Sequence, residues 1–444
     1  MMDKVPTGFR LPRLCLPRPG TDLAKWAVIA CDQYTSEPEY WQRVEQEVGD
    51  APSTLHLIFP EAHLESADAP ARIARIQAAM QRYLGEGLFV EHEGTILVER
   101  TVDGRTRRGL MLELDLEHYD FSAGSTSLIR PTEGTIVARL APRIEVRRSA
   151  ALELPHILVL IDDPEDSVIG PVAAAAAAAR DARAPLYETE LMQGGGHVVG
   201  HAVDAALGQR AAAALAALAR PEVFAPRYGV PADTPPMLFA MGDGNHSLAT
   251  AKSIWQQVRG TVGLDHPSRY ALVEVENVHD RGLHFAPIHR LLFGVRGDWR
   301  AALAEAFGKH VRVAETPSAA AMRERVSVAG SGGSTQVVGL IEPGGRCAVI
   351  EIDNPPTTLA MSTLQPVIDR FVERGGATQL DYVHGDEALL RLAQQPGCTG
   401  LHFAGLDRHE LLKRVVHEGP LPRKTFSMGE AHEKRFYVEA RRIR

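Results

Sequence analysis

Hydrophobic and polar positions alternate with two different periods along the chain. The apolar run at 26–31 predicts a short buried strand, and apolar residues recur at helical spacing over 40–48. Between them, Ser36 is followed three residues later by Glu39, which has the form of a capping box and predicts a helix start. Helical spacing returns over 68–85. We therefore expect strands and helices to be combined in the N-terminal part.

The rest of the chain carries hairpin signals and strand–helix pairs. Turn dipeptides interrupt the alternating segment 86–118, and three glycines divide 186–204 into two halves, so both segments predict β-hairpins. Apolar stretches at 156–162 and 237–241 predict strands, and each is followed by a helical stretch. Strands that alternate with helices indicate an α/β or α+β core.

We accordingly predict a mixed sheet with flanking helices in a main domain over 1–295, and a smaller C-terminal α/β unit over 296–444. The length of 444 residues is sufficient for two domains. A composition of 45% hydrophobic and 23% charged residues is typical of a globular protein.

Charge and cysteine content narrow the class of partner. The net charge of −8 disfavours nucleic acid, because neutralising its phosphates needs clustered lysine and arginine. The four cysteines are far apart and lack paired metal-binding spacing, so we expect no structural metal and a cytoplasmic location. The chain contains no run of about 20 apolar residues, so we expect no membrane span. The expected partner is a small molecule.

The segment most suggestive of chemistry is the turn between the strand at 237–241 and the helix after it. Gly242 and Gly244 permit backbone angles that other residues resist. A glycine turn that leads into a helix directs several free N–H groups at one place, and the helix dipole adds positive potential there. The pattern therefore predicts an anion-binding turn. Its residues are Gly242, Asp243, Gly244, Asn245, His246 and Ser247.

The side chains of this turn allow a functional and a structural interpretation. Asp243 can accept a proton or hold Mg²⁺, and His246 can donate a hydrogen bond to a phosphate oxygen. Asn245 or Ser247 can cap the helix. Asp-Gly-Asn is also a common turn sequence, so an ordinary turn with a capping serine is the alternative.

The turn resembles the Asp-Gly-(Asn or His)-His signature of the family called domain of unknown function 1015. Further blocks that fit the same family span most of the chain. They are Cys31-Asp32-Gln33-Tyr34-Thr35-Ser36, Arg130-Pro131-Thr132-Glu133-Gly134-Thr135, Glu153-Leu154-Pro155-His156, Pro287-Ile288-His289-Arg290 and Leu421-Pro422-Arg423-Lys424-Thr425.

The turn is also similar to the phosphate-handling motif of the ParB/sulfiredoxin-like group, which includes nucleotide-dependent kinases of free serine. That resemblance implies a ParB/sulfiredoxin-like core, a phosphotransferase activity on a small hydroxylated metabolite such as free serine, and Mg²⁺ with ATP or ADP. Asp243, Asn245 and His246 match the motif, whereas Ser247 stands where those proteins usually carry arginine.

In the related kinases an upstream acidic residue serves as the general base. Asp32 and Glu37 are the candidates for that role here, and Glu37 can instead simply favour a helix start. Arg290 is a candidate cation for neutralising a phosphoryl group. The alternative to an enzyme is a non-catalytic protein that uses the same turn to sense a nucleotide or a phosphorylated metabolite, or to regulate a partner enzyme.

Overall fold

The computed structural model describes residues 8–122, 124–331 and 333–444. These residues divide into two compact units. Unit 1 extends to Leu283 and includes the C-terminal segment Gly429–Arg444, and unit 2 is His284–Met428.

Unit 1 combines strands and helices along the chain. Its strands before unit 2 are β1 Phe9–Arg10, β2 Arg13–Pro17, β3 Val28–Ile29, β4 Phe89–Glu93, β5 Ile96–Val102, β6 Arg105–Asp115, β7 Ile129–Arg130, β8 Leu152–Glu153, β9 Leu158–Ile161, β10 Tyr187–Leu191, β11 Gly196–Ala202, β12 Phe239–Asp243 and β13 Tyr270–Asn277. Its helices are α1 Leu23–Trp26, α2 Pro38–Val48, α3 Ala69–Gly85, α4 Leu140–Arg148, α5 Gly170–Ala179, α6 Ala205–Leu218, α7 Pro221–Tyr228 and α8 Asn245–Val262.

A nine-stranded mixed sheet organises unit 1. Its strand order is β10-β11-β5-β6-β13-β9-β12-β7, and β1 adds to β6. The pairs β13–β9 and β12–β7 are parallel, whereas β12 runs antiparallel to β9. The central strand β9 is buried along its whole length, as expected for a strand that is covered on both faces. The predicted mixed α/β fold is confirmed.

The sheet has a buried cluster on each face. Along β5, Ile96 and Val98 belong to one cluster and Leu97 to the other, because successive side chains of a strand point to opposite faces. The hairpin predicted at 186–204 is confirmed as β10 and β11. The turn at Glu93-Gly94 does not form the predicted hairpin, because β4 pairs with β2 and β5 pairs with β6 and β11.

The start of α2 differs from the capping box predicted at Ser36 and Glu39. The helix begins at Pro38, with Glu37 at the N-cap position and no side-chain cap. Proline suits the first helical position because its ring fixes φ near the helical value and its missing N–H is not needed there. The apolar face of the helix was predicted correctly, since Tyr40, Trp41, Val44 and Val48 are buried.

Unit 2 is built on a second, antiparallel sheet of seven strands, with order β15-β17-β16-β19-β14-β18 and β20 on β14. Its strands are β14 Phe285–Phe293, β15 Val311–Thr316, β16 Thr335–Glu342, β17 Arg346–Asp353, β18 Gln379–His384, β19 Thr399–His402 and β20 Phe426–Met428. Its helices are α9 Trp299–Phe307, α10 Ala319–Ala329, α11 Ala360–Glu373, α12 Asp386–Ala393 and α13 Arg408–Glu418.

The boundary between the two units does not lie at residue 295, where the sequence analysis placed it. Strand β14 pairs with β18, β19 and β20, so its residues belong to the sheet of unit 2. The C-terminal segment contributes β21 (Phe436–Tyr437) and β22 (Arg441–Arg442), which pair with β3 and β8 of unit 1. Within the described residues, no helix combines the length and apolarity that crossing a membrane requires.

Candidate functional site

The predicted turn connects β12 to α8 in unit 1. Gly244 has φ 80° and ψ 26°, the left-handed region that favours glycine. A Cβ on Gly244 would lie 3.0 Å from the Cα of Ile157, a contact so tight that the neighbouring backbone would have to shift. Gly242 lies at the irregularity where the β12–β9 register shifts. The N–H groups in the first turn of α8 have no partner within the helix, and they carry the positive end of its dipole.

Asp243 is held by a lysine from the C-terminal segment. Its Oδ2 accepts from Nζ of Lys434 at 2.9 Å, and its Oδ1 accepts from the N–H of Gly244 at 2.8 Å. Burial raises the pKa of Asp243, but the charge of Lys434 and the two hydrogen bonds outweigh it, so the pKa is below its usual value. Because both oxygens are engaged, Asp243 suits the positioning of a cation better than the proton-accepting role considered from the sequence.

Ser247 leads to a chain of hydrogen-bonded groups on unit 1. Its Oγ lies 2.8 Å from Nε2 of His156, whose Nδ1 lies 2.7 Å from the hydroxyl of Tyr437. The same hydroxyl accepts from the N–H of Cys31 at 3.1 Å. Oδ2 of Asp32 lies 4.0 Å from Nε2 of His156. The structure therefore brings the candidate base Asp32 close to the start of α8.

A cavity of about 130 Å³ opens beside this chain of groups. Ser247, His156 and Tyr437 line it together with Glu61 and Arg143. Arg143 Nε donates to Oε1 of Glu61 at 2.7 Å. Burial raises the pKa of Glu61, and the nearby charge of Asp32 adds to the increase. Glu61 and Glu153 line the cavity, and Asp32 lies 4.0 Å from His156, which also lines it.

Asn245 and His246 occupy the first turn of α8 and are half-buried. Oδ1 of Asn245 is buried and has no hydrogen-bond partner among the described residues. The carbonyl of His246 accepts from Oγ1 of Thr250 at 2.7 Å, and Oγ1 of Thr132 donates to the carbonyl of Met241 at 2.6 Å. These contacts fix the backbone on both sides of the turn.

Glu37 is the other carboxylate that was considered as a base. It is exposed at the N-cap position of α2. In residues 8–122, 124–331 and 333–444, no hydrogen bond or ion pair joins its side chain to the turn at 242–247. The geometry therefore favours Asp32 over Glu37.

Arg290 is a buried structural residue of unit 2. It is 0% exposed. Its Nε donates to Oε1 of Gln365 at 2.9 Å, and its terminal nitrogens donate to the carbonyls of Ile288, Arg423 and Lys424 at 2.8–3.0 Å. With these donors committed to protein acceptors, Arg290 does not provide the phosphate contact that we expected from the sequence.

Unit 2 also holds three side chains with metal-ligating atoms, which the sequence analysis did not single out. Nε2 of His289 and Nε2 of His402 lie 3.0 and 3.1 Å from Oδ1 of Asp386. The N–H of Phe403 donates to Nδ1 of His289 at 3.2 Å, so Nε2 of a neutral His289 carries its hydrogen and donates to Asp386. A metal on Nε2 would need the opposite tautomer, so the contacts favour a hydrogen-bonded group over a metal site.

Three residues of the site were not assigned a role from the sequence. His156 appeared only as part of a family block, and Lys434 and Tyr437 belong to a segment that was expected in the C-terminal unit. A lysine 191 positions from Asp243 gives no local signal of its pairing. Only the return of the C-terminal segment to unit 1 reveals it.

The fold defines a mixed α/β protein in which a glycine turn leads from β12 into helix α8. A family model described as "Protein of unknown function (DUF1015)" matches residues 15–371, and the chain belongs to that family. No curated protein matches the chain in sequence.

Solved structures with a similar fold include a mutant free serine kinase in complex with AMP. It is 12% identical, with a TM-score of 0.40, and the match covers 73% of this chain and 90% of that chain. A complex of a mutant free serine kinase with ADP gives a TM-score of 0.39 at 12% identity and the same coverage. A conserved hypothetical protein from Pyrococcus furiosus is 12% identical, with a TM-score of 0.36 and coverage of 72% and 90%.

Proposed function

We propose that the protein is a nucleotide-dependent phosphotransferase that acts on a small hydroxylated metabolite, with free serine as the first substrate to test. The observation that carries the proposal is the position of Lys434. Nζ of Lys434 donates to Oδ2 of Asp243 at 2.9 Å, and this hydrogen bond holds the ammonium group beside the start of α8. A fixed lysine next to the positive N-terminal end of a helix is a suitable environment for phosphate oxygens.

We assign the nucleotide and the acceptor metabolite to two different places in the site. The first-turn N–H groups and Lys434 would bind phosphates of the nucleotide. A cavity of about 130 Å³ is too small for a nucleotide, since drug-sized ligands occupy roughly 300–1,000 Å³, but it suits a small acceptor metabolite. Phosphoryl transfer needs mainly positioning and charge neutralisation, which such a site can supply.

Asp32 is the proposed general base. Its Oδ2 lies 4.0 Å from Nε2 of His156, which in turn is 2.8 Å from Ser247 at the helix start. A carboxylate at this place could take the proton from the hydroxyl of an acceptor in the cavity. The presence of this second carboxylate favours an enzyme over a sensor, because a sensor would need only the N–H groups and a cation.

Mg²⁺ fits the proposal without a dedicated protein cage. In the described part of the chain, the single group of three or more possible ligands lies in unit 2, not at the turn. Mg²⁺ is usually held by one or two carboxylates together with substrate phosphates, and Asp243 could contribute here. The ion would neutralise charge on the phosphates.

The test is turnover by the purified full-length protein. The protein is incubated with Mg²⁺, with ATP or ADP, and with serine or other hydroxylated metabolites, and the phosphorylated product is measured by mass spectrometry. We expect Asp32→Asn to lower kcat by at least about 100-fold, the usual contribution of a general base. Lys434→Gln is expected to raise the KM for the nucleotide by about 10- to 100-fold, because a charge-assisted hydrogen bond is lost.

Asp50→Asn is the matched control, since Asp50 is exposed. It is expected to leave both constants unchanged. Nucleotide binding without turnover of any acceptor would support the sensor instead. Equal turnover by the wild-type protein and the Asp32→Asn variant would remove Asp32 as the base.

A further inference from the structure

The cavity next to Ser247 has mainly apolar walls. This is unexpected for a site that takes only a polar metabolite. The side chains that form these walls are Leu57, Ile58, Phe59, Leu64, Met80, Val146, Leu152 and Leu154. Its polar lining includes Ser247, His156 and Tyr437 and two ion pairs, Arg143–Glu61 and Arg147–Glu153.

A serine hydroxyl in hydrogen-bond contact with a histidine ring is the core of many nucleophilic sites. Here Ser247 Oγ and His156 Nε2 are 2.8 Å apart. We propose that Ser247 is a nucleophile toward short-chain acyl esters, with His156 as its general base and the apolar cavity as the acyl pocket. This activity goes beyond the proposed phosphotransfer: it uses the same cavity but needs no nucleotide.

The contacts of His156 allow the required protonation state. The Tyr437 oxygen has two lone pairs, of which one accepts from the N–H of Cys31. The other can accept from Nδ1–H of His156 across 2.7 Å. Nε2 then carries a lone pair, and the hydroxyl of Ser247 can donate to it. Asp32, with its Oδ2 4.0 Å from Nε2, would stabilise the imidazolium that forms during reaction.

The reaction is hydrolysis of the ester by water in two steps. Ser247 Oγ attacks the carbonyl carbon while its proton moves to Nε2 of His156, and the positive N-terminal end of the α8 dipole stabilises the oxyanion. The carbon–oxygen bond to the alcohol then breaks, and the alcohol leaves with the proton from Nε2. Water attacks the acylated serine with His156 again taking the proton, and this proton returns to Ser247 as the carboxylic acid is released.

Cys31 is the competing nucleophile in the same cavity. Burial strongly raises the pKa of its thiol, and the charges of Asp32 and Glu61 add to the increase. Because the thiolate is the reactive form of cysteine, this side chain is expected to be inert at neutral pH. The site of modification therefore distinguishes the two residues.

The first experiment is covalent labelling of the full-length protein with a small alkyl fluorophosphonate, followed by peptide mass spectrometry. We expect one label on Ser247. The second experiment measures hydrolysis of p-nitrophenyl acetate, butyrate and decanoate. The short esters are expected to be cleaved and the decanoate not, because a cavity of about 130 Å³ cannot hold ten carbons.

The variants separate chemistry from folding. Ser247→Ala is expected to abolish labelling and hydrolysis, and His156→Gln to lower kcat by at least about 100-fold. Ser253→Ala is the matched control on the same helix, because the Ser253 hydroxyl donates to the carbonyl of Ala249 and does not line the cavity. Circular dichroism and thermal unfolding of each variant check that the fold is retained.

Several results would overturn the proposal. They are a label on Cys31 or elsewhere, hydrolysis that survives in a folded Ser247→Ala protein, or the absence of both labelling and hydrolysis in the wild-type protein. Absence of phosphotransfer would not affect it, because neither assay contains a nucleotide.

Discussion

Glu276 is a carboxyl group without contact to solvent. It is 0% exposed on β13, and its Oε1 lies 3.1 Å from Nε of Arg107, although not in hydrogen-bond geometry. Burial raises the pKa of Glu276 to about 8. The charges of Glu274 and Asp280 also raise the pKa, whereas the charge of Arg107 lowers it. Because the folded-state pKa exceeds the unfolded one, this group stabilises the fold at low pH, and that contribution is lost as the pH rises toward 8.

Glu276→Gln should therefore change how stability depends on pH. The amide cannot ionise, so the variant should gain stability over the wild-type protein at pH 8–9, by an amount on the order of 1 kcal/mol, and little at pH 5. Urea unfolding at pH 5, 7 and 8.5 measures the difference. Glu222→Gln, at an exposed position, is the control. A difference that is the same at all three pH values would contradict the assignment.

Among the elements, the junction of β12 and α8 depends most directly on one glycine. Gly244→Ala would place a side chain in the left-handed region and a Cβ 3.0 Å from the Cα of Ile157. We expect a loss of about 2–3 kcal/mol in the free energy of unfolding.

Gly229→Ala is the matched control for this prediction. Gly229 at the end of α7 also adopts the left-handed conformation, but a Cβ there meets nothing within 4 Å. The control should cost about 1 kcal/mol, which is the conformational strain alone. Denaturant unfolding of both variants measures the two losses. Equal losses would show that the contact with Ile157 is relieved at no cost.

At the scale of the whole molecule, the return of Gly429–Arg444 to unit 1 brings buried charges with it. Arg435 is 4% exposed and donates to Glu274 and Glu439, each at 2.7 Å. Burial lowers the pKa of Arg435, but the charges of Glu439 and Glu274 outweigh burial and raise it overall. The segment is therefore an ionic part of the interior of unit 1 and not a peripheral tail.

Arg435→Ala should destabilise unit 1 by about 3–5 kcal/mol, because it leaves buried carboxylates without a partner. Arg442→Ala removes an arginine from the same segment, but its pair with Glu91 is half-exposed and 3.5 Å long, so less than about 1 kcal/mol is expected. Thermal or urea unfolding followed by circular dichroism compares them. Similar losses in the two variants would mean that the buried pairs contribute no more than the surface pair.

The sequence by itself determined the features that depend on neighbouring residues. Helical spacing predicted α3 within one residue of its observed start, and the glycines at 194–196 predicted the β10–β11 hairpin. The strand–turn–helix at 237–258 was also predicted, because Gly242 and Gly244 mark the turn locally. Local spacing is sufficient in these cases because hydrogen bonds and side-chain periodicity act over a few residues.

Only the tertiary structure decided which side chains surround that turn. Lys434, His156 and Tyr437 reach it from distant parts of the chain, and Arg290, which looked suitable from its position in a motif, is committed to acceptors inside unit 2. Pairing across nearly two hundred residues leaves no periodicity or spacing to detect. It results from the packing of strands and of the C-terminal segment, which depends on the burial of the whole chain and not on any local stretch.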